Sequence, residues 1–374
     1  MTIAARIRAW LELLRVPNLP TVASNAILGA WLGFVAQGRL PAIPFAGWKP
    51  QAATRPIEFR DLFIVAHVAL GLCGLYLFGL ILNDLFDLAT DRRERPQRPL
   101  PSRRIGRWQA AIAAVALLVA GVWLLLSVNR SPLLVGLVSA LVAAIVLYDL
   151  LHRGVAFAVV LPAACRGLAV LVAAVATFSG SAFEESWLPV GDRELVVVLV
   201  PAAVVAIFVL AVSLVARREV EAGPRRLCTK CGQTVLDEAV RCPECGEAAP
   251  PRESRVARRS DLGSAPKWVV ACGMLALVAT AVLGAPAWTP EFGEPFGSTQ
   301  LIRSLAVLGC LGAWLAFATR STPETPVPKL VGRWLGSLCL LDATMLAPLG
   351  PLPVLLCVGL FAASSLLAKR FAGS

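Results

Sequence analysis

The chain has few charged residues, no evident disulfide framework and no short-period repeat. Only 16% of its 374 residues are charged, against 57% that are hydrophobic, and the apolar residues form long runs. That composition excludes an ordinary water-soluble domain and is typical of membrane proteins. Six of the ten cysteines stand singly in apolar runs, where cysteine behaves as a small hydrophobic residue. The sequence therefore indicates one unit, interrupted by a polar insertion at 216–267.

The N-terminal segment lacks the basic, apolar and small-residue order of a cleavable signal peptide. Its first long apolar run begins only after Arg15, Pro17 and Asn18. We therefore expect the first helix to remain in the membrane as an anchor.

Eight apolar runs have about the 20 residues that a helix needs to cross a bilayer. They lie near 19–37, 62–82, 108–128, 131–148, 155–178, 195–215, 268–285 and 301–319. A final stretch, 331–368, is too long for one crossing, and a Pro/Gly cluster at 347–351 interrupts it. The predicted fold is an all-α, polytopic transmembrane bundle of nine helices, or ten if the final stretch is a hairpin.

The net charge of +11 follows membrane topology better than it follows nucleic-acid binding. Basic residues fall mostly in alternate loops, as the positive-inside rule requires, although the loop 38–61 carries four of them on the supposed outer side. We expect the N-terminus and the Asp-rich loops to be cytoplasmic, in the inner membrane of a bacterium. Lys369 and Arg370 then favour ten helices with the C-terminus inside.

Acidic residues cluster where the second apolar run ends. Asp84, Asp87 and Asp91 follow Asn83 at a spacing that places them on one face if the helix continues for two turns. Converging carboxylates favour a hard cation such as Mg²⁺, which commonly shares its site with substrate phosphates. Seven arginines between 92 and 107 supply positive charge for a diphosphate. The alternative is a polar helix end whose arginines only follow the positive-inside rule.

The pattern Asn83-Asp84-x-x-Asp87-x-x-x-Asp91, followed by Arg98-Pro99-Leu100-Pro101-Ser102, resembles the first signature of the UbiA superfamily of intramembrane prenyltransferases. The segment Arg15-Val16-Pro17-Asn18 and Asn25 extend the match. The resemblance implies Mg²⁺ held by the three aspartates, and a polyprenyl diphosphate that donates its prenyl group to a lipophilic acceptor, aromatic or otherwise. It makes Asn83 and the aspartates the catalytic set, with Arg95, Arg98 and Asn25 on the diphosphate.

The family's second Asp-rich motif is missing. The corresponding segment, Ser213 to Gly223, has no aspartate triad. Glu219 is a candidate metal ligand, and Arg217, Arg218 and, from another loop, Arg153 are candidate diphosphate ligands. A plain helix end with stop-transfer charges explains the segment equally well. The chain resembles a divergent branch of the superfamily, and the alternative function is a non-catalytic UbiA-like membrane scaffold or lipid carrier.

Two charges lie inside apolar runs. Arg166 and Asp342 are each roughly 17 Å from the cytoplasmic end of their helices at helical rise. Because unpaired intramembrane charges are costly, we predict that Arg166 pairs with Asp342.

A cysteine cluster marks the polar insertion. Cys228, Cys231, Cys242 and Cys245 form two C-x-x-C pairs, ten residues apart, each followed by glycine. This pattern is typical of a structural zinc site with four thiolates. We divide the chain into a first bundle part (1–223), a cytoplasmic zinc-ribbon insertion (224–266) and a second bundle part (267–374). Arginines flank the insertion, so membrane lipids are expected nearby, a protein partner is a candidate, and nucleic acid is not expected.

Overall fold

The structure is a computed structural model, and it describes most of the chain. The described residues are 2–37, 57–152, 156–177, 192–221, 267–273, 298–320 and 325–371, with short pieces between 226 and 248.

Twelve helices account for most of the described residues. They are α1 (Ile3–Leu13), α2 (Leu19–Ala36), α3 (Phe59–Phe86), α4 (Leu88–Glu94), α5 (Arg107–Val128), α6 (Pro132–Leu151), α7 (Val160–Thr177), α8 (Asp192–Glu221), α9 (Ser298–Thr319), α10 (Val327–Gly336), α11 (Leu338–Leu346) and α12 (Pro351–Phe371). Within the described part, nine segments are long and apolar enough to cross a membrane. The predicted polytopic helical bundle is confirmed, and the chain is an integral membrane protein.

The long final stretch is a hairpin, as one of the two alternatives predicted. One segment runs from Val327 to Leu349 and the next from Pro351 to Arg370. Gly350 joins them with a φ of 143°, which favours glycine. Of the run predicted at 268–285, only 267–273 is described, and these residues are helical. The rest of that prediction lies outside the described residues.

Helix α2 is the centre of the bundle. Its side chains are buried almost throughout, including Trp31 and Phe34. Gly29 and Gly33 allow it to approach α7 closely, because a Cβ atom at either position would collide with the α7 backbone or side chains. Helix α5, by contrast, exposes a row of apolar side chains, as expected for contact with lipid.

The polar insertion contains the described strands. Strands β1 (Arg226–Leu227) and β2 (Thr234–Val235) are antiparallel, with Arg226 opposite Val235. A separate bridge pairs Arg241 with Ala248. Two short turns therefore follow each other in this segment.

Candidate active site at the end of helix α3

The Asp-rich segment is a nearly continuous helix with a joint at Asp87. Helix α3 ends at Phe86, α4 begins at Leu88, and Asp87 lies between them in the right-handed helical region. The backbone bonds Asp87 N to Asn83 O and Asp91 N to Asp87 O, both 2.9 Å, carry the helical pattern across the joint. The helical pattern thus continues past Phe86, as the placement of the three aspartates on one face requires.

Asp84 and Asp91 lie on either side of one guanidinium group. The Nη1 atom of Arg98 is 2.7 Å from Oδ2 of Asp91 and 3.7 Å from Oδ1 of Asp84. Nη2 of Arg15 also donates to Oδ1 of Asp84, at 2.9 Å. Both aspartates are buried, so these cations offset much of the cost of removing the carboxylates from water.

Helix α6 supplies the other wall of the site. Nε2 of His152 lies 3.1 Å from Oδ1 of Asp87, and Nδ1 of the same ring lies 3.0 Å from the carbonyl oxygen of Asp149. The amide nitrogen of Asn83 donates to Oδ1 of Asp149 at 3.1 Å. Tyr148 is tilted against the His152 ring, with centroids 5.5 Å apart. The site therefore joins α3, α4 and α6.

Carboxylates alternate with arginine and histidine side chains across this site. The described residues contain no group of three His, Cys, Asp or Glu side chains arranged to hold a metal ion. In the positions described above, arginine and histidine occupy the places between the acids. The chemistry of the donors nevertheless fits Mg²⁺, because the carboxylates are oxygen ligands and a positive group already sits between Asp84 and Asp91.

The other predicted diphosphate ligands are scattered or lie outside the description. Arg95 is exposed, and Arg217 is half-buried on α8. The side chains of Arg218 and Glu219 and the whole of Arg153 lie outside the described residues. Their roles, like those of the aspartates, stay predictions.

Asn25 belongs to a second polar cluster, within the bundle. Its amide nitrogen donates to Oδ2 of Asp342 at 2.8 Å, and its amide oxygen accepts from Nη1 of Arg166 at 3.0 Å. Ser24 donates to the same Asp342 oxygen, and Nη2 of Arg166 donates to Thr21 Oγ1 at 2.9 Å. Both the nitrogen and the oxygen of the Asn25 amide therefore bond to residues other than the aspartates of α3 and α4.

The predicted Arg166–Asp342 pair needs a correction. Both residues lie in the same cluster, as their equal depth in the membrane predicted. They make no direct ion pair, because the Asn25 side chain lies between them and bonds to each. Arg166 instead lies over the ring of Tyr76, with its guanidinium carbon 5.5 Å from the centroid.

Sequence reasoning missed the partners of the acids. From the sequence, Arg15 was noted only for the start of the first apolar run and for the family resemblance, and Asp149 was not predicted to lie at the site. The sequence did offer one signal for Arg15: it stands just before the turn that Pro17 predicts. In the structure Arg15 has a φ of 42°, an uncommon value for a residue with a side chain, and this turn allows it to reach Asp84.

Two of the four predicted zinc ligands are described. Cys231 lies in the turn between β1 and β2, and Cys245 lies in the turn closed by the Arg241–Ala248 bridge. Nζ of Lys230 is 3.4 Å from Oε2 of Glu247, which links the two turns. Cys228 and Cys242 lie outside the described residues.

Curated relatives match part of this chain. Digeranylgeranylglyceryl phosphate synthase of Methanococcus maripaludis strain C6 is 32% identical over 116 residues, covering 31% of this chain and 34% of that protein. The synthase of the same name from Sulfolobus acidocaldarius is 31% identical over 118 residues, covering 30% and 34%. The matched region spans about a third of the length of these curated relatives. The relatives are archaeal and lend no support to the expected bacterial membrane.

A solved structure shares the fold. The apo structure of a UbiA homolog from Aeropyrum pernix K1 has a TM-score of 0.50 and 14% sequence identity, covering 88% of this chain and 96% of that one. Residues 42–234, just over half of the chain, match the UbiA prenyltransferase family, and this range contains all three aspartates and the α6 residues around them. The chain therefore belongs to the UbiA prenyltransferase family.

Proposed function

We propose that the chain transfers a prenyl group from a polyprenyl diphosphate to a lipophilic acceptor within the membrane. The observation that carries this proposal is the pair of buried aspartates near the α3–α4 joint that share one arginine. A structural polar helix end would need one or two exposed charges there. Here Asp84 and Asp91 are buried and share the cation Arg98.

The chain's own residues have distinct tasks in this proposal. Arg15 and Arg98 are placed to bind diphosphate oxygens, since guanidinium groups make strong charge-assisted hydrogen bonds to phosphate. As the allylic C–O bond of the donor breaks, negative charge grows on the leaving diphosphate, and these two cations stabilise it. The acceptor's nucleophile then bonds to the allylic carbon and loses its proton.

Asp84, Asp87 and Asp91 are the residues that would hold Mg²⁺, with Asn83 beside them. A bound Mg²⁺ supplies Lewis-acid stabilisation of the charge on the diphosphate. His152 fixes the position of Asp87, and Asp149 fixes Asn83. These contacts hold the metal-binding face of α3 and α4 against α6 before substrate arrives.

The acceptor class is the less constrained part of the proposal. The named relatives produce digeranylgeranylglyceryl phosphate, so a prenylated glyceryl phosphate is the first acceptor to test. The missing second Asp motif favours the alternative, a UbiA-like scaffold or lipid carrier. A chain that binds the donor but transfers it to no acceptor would fit that alternative.

The first experiment measures binding of a non-hydrolysable polyprenyl diphosphate analogue to the purified chain in detergent, with and without Mg²⁺. Asp84→Asn and Asp87→Asn are each expected to weaken Mg²⁺-dependent binding at least tenfold, because each removes one anionic metal ligand. Asp61→Asn is the matched control, since Asp61 lies at the opposite end of α3. Equal loss in the control, or no binding by the wild type, would refute the proposal.

We also propose that the insertion binds one structural zinc ion through Cys228, Cys231, Cys242 and Cys245. The two adjacent turns that hold Cys231 and Cys245, linked by Lys230 and Glu247, support this assignment. Elemental analysis of the purified chain should find one zinc per molecule. A double Cys231→Ser, Cys245→Ser variant should lose it, whereas Cys310→Ser on α9 should retain it. A wild-type chain without zinc would show that the insertion is not a zinc ribbon.

A further inference from the structure

A basic groove of about 740 Å³ lies between α1 and the start of α5. It is separate from the aspartates of the candidate active site. Its wall includes four arginines and a tryptophan: Arg6, Arg103, Arg104, Arg107 and Trp108. The groove thus gathers cations from three parts of the chain, namely α1, the loop before α5 and the first turn of α5.

Three of these arginines have no acidic partner among the described residues. Arg104 is neutralised, because its Nη1 and Nη2 atoms lie 2.8 and 3.0 Å from the carboxylate oxygens of Glu12. Arg6, Arg103 and Arg107 make no ion pair within the part of the chain that the structure describes. Like charges gathered in one concavity repel one another, and an anion bound between them would relieve that repulsion.

The groove is built by a fixed loop. Ser102 N donates to Arg98 O at 3.0 Å, and Ile105 N donates to Pro99 O at 3.2 Å. Arg103 has a φ of 59°, the left-handed value that few residues other than glycine adopt. The Arg104–Glu12 contact ties this loop to α1. Backbone hydrogen bonds and an ion pair therefore hold the loop that carries Arg103 and Arg104.

Exposed apolar side chains lie on the two helices that form the groove, α1 and α5. Ile3 and Ile7 are exposed on one face of α1, which suits a helix that lies in the interface. Trp108 is 69% exposed at the groove itself, and tryptophan is enriched at this level of a membrane. Ile112, Val115 and Val119 continue the exposed row along the same face of α5.

We propose that Arg6, Arg103 and Arg107 bind the phosphate of an anionic phospholipid, whose acyl chains lie along the exposed face of α5. Charge selects a phosphate, and the apolar row below the groove selects a lipid over a soluble phosphate. The positive-inside rule accounts for the presence of arginine near the membrane. It does not account for three arginines around one concave site that have no acidic partner in the described part of the chain. Of these, Arg107 lies over the Trp108 ring, 5.6 Å from its centroid. This site does not depend on the proposed prenyl transfer.

The test is native mass spectrometry of the purified full chain, titrated with phosphatidylglycerol or phosphatidylcholine of the same acyl composition. Wild type should prefer phosphatidylglycerol. The double variant Arg103→Gln, Arg107→Gln should bind it about 30-fold more weakly, the loss expected for two juxtamembrane cations. The matched control is Arg320→Gln, Lys329→Gln, which removes two cations from a different groove beside α9 and α10.

Each result decides the proposal. A loss confined to the Arg103–Arg107 variant supports the site, provided that its thermal unfolding in detergent matches the wild type. Equal losses of affinity in both double variants would show that net charge alone determines lipid binding, and would overturn the proposal. Equal affinity for the two lipids would overturn it as well. Inorganic phosphate that displaces the lipid at equal concentration would identify a soluble-phosphate site instead.

Discussion

Buried acids in this protein differ in the partners that neutralise them. Asp84 contacts two arginines, and the proposed diphosphate would compete for both. Asp342 is fully buried and contacts Ser24 and Asn25, with Arg166 reached only through the amide. The first arrangement suits a site that exchanges ligands. The second suits a fixed link between α2, α7 and α11.

Removing Asp342 tests whether this link stabilises the bundle. Asp342→Ala leaves the Ser24 and Asn25 donors without their acceptor inside the membrane. We expect a loss of about 1–3 kcal/mol in the free energy of unfolding, the usual cost of an unsatisfied buried polar group. Asp342→Asn keeps an oxygen acceptor and should lose less. Unfolding followed by circular dichroism in detergent measures both changes.

The outcome against this prediction is also clear. If Asp342→Ala unfolds like the wild type, the cluster contributes nothing to stability. The hydrogen bonds of Ser24 and Asn25 to Asp342 would then not be what holds α2 in the bundle.

At the scale of single elements, helices α2 and α7 make the closest contact at any glycine of the described bundle. A Cβ atom added at Gly29 or Gly33 would lie nearer to a neighbouring atom than one added at any other described glycine. A Cβ atom at Gly29 would overlap the carbonyl oxygen of Val170, and one at Gly33 would overlap Thr177 Oγ1. Small residues at such positions let helix backbones approach closely in membranes. This contact also holds Asn25 of α2 opposite Arg166 of α7.

Gly29→Ala should therefore force α2 and α7 apart. We expect it to cost about 1–3 kcal/mol of unfolding free energy, as overpacking of a filled core does. Gly136→Ala on α6 is the matched control, because no atom lies within 4 Å of a Cβ placed there. That control should be neutral or slightly stabilising. Thermal unfolding in detergent compares the two, and equal melting temperatures would contradict the tight contact.

The sequence predicted the elements better than it predicted their junctions. Length and hydropathy are sufficient for the spans, and the Pro/Gly cluster at 347–351 located the hairpin turn. The joint at Asp87 and the turn at Arg15 depend on backbone angles that no periodicity reveals. The partners Arg15, Asp149 and His152 come from distant parts of the chain, so only packing brings them to the aspartates. Asn25 between Arg166 and Asp342 was missed for the same reason.

For the whole molecule, the distribution of charge and the number of spans must agree. Nine described segments are suited to cross the membrane, and the run at 268–285 is predicted as a tenth. Ten crossings return the chain to the side from which it started. Basic residues before α2 and at the end of α12 then lie on the same side, which the positive-inside rule predicts to be cytoplasmic.

Reporter fusions to the full chain and to a shorter chain test that count. With ten crossings, green fluorescent protein placed after residue 374 should fluoresce in the cytoplasm, and alkaline phosphatase placed after residue 290 should be active outside. If 268–285 does not cross, three later segments remain, so both reporters change sides together. A fusion after residue 260 is the matched control, because it precedes the disputed run and should stay cytoplasmic in either case. A C-terminal green fluorescent protein that does not fluoresce, together with a C-terminal alkaline phosphatase that is active, would therefore show that 268–285 does not cross. The orientation of α9, α10, α11 and α12 across the membrane would then be the opposite of the one predicted.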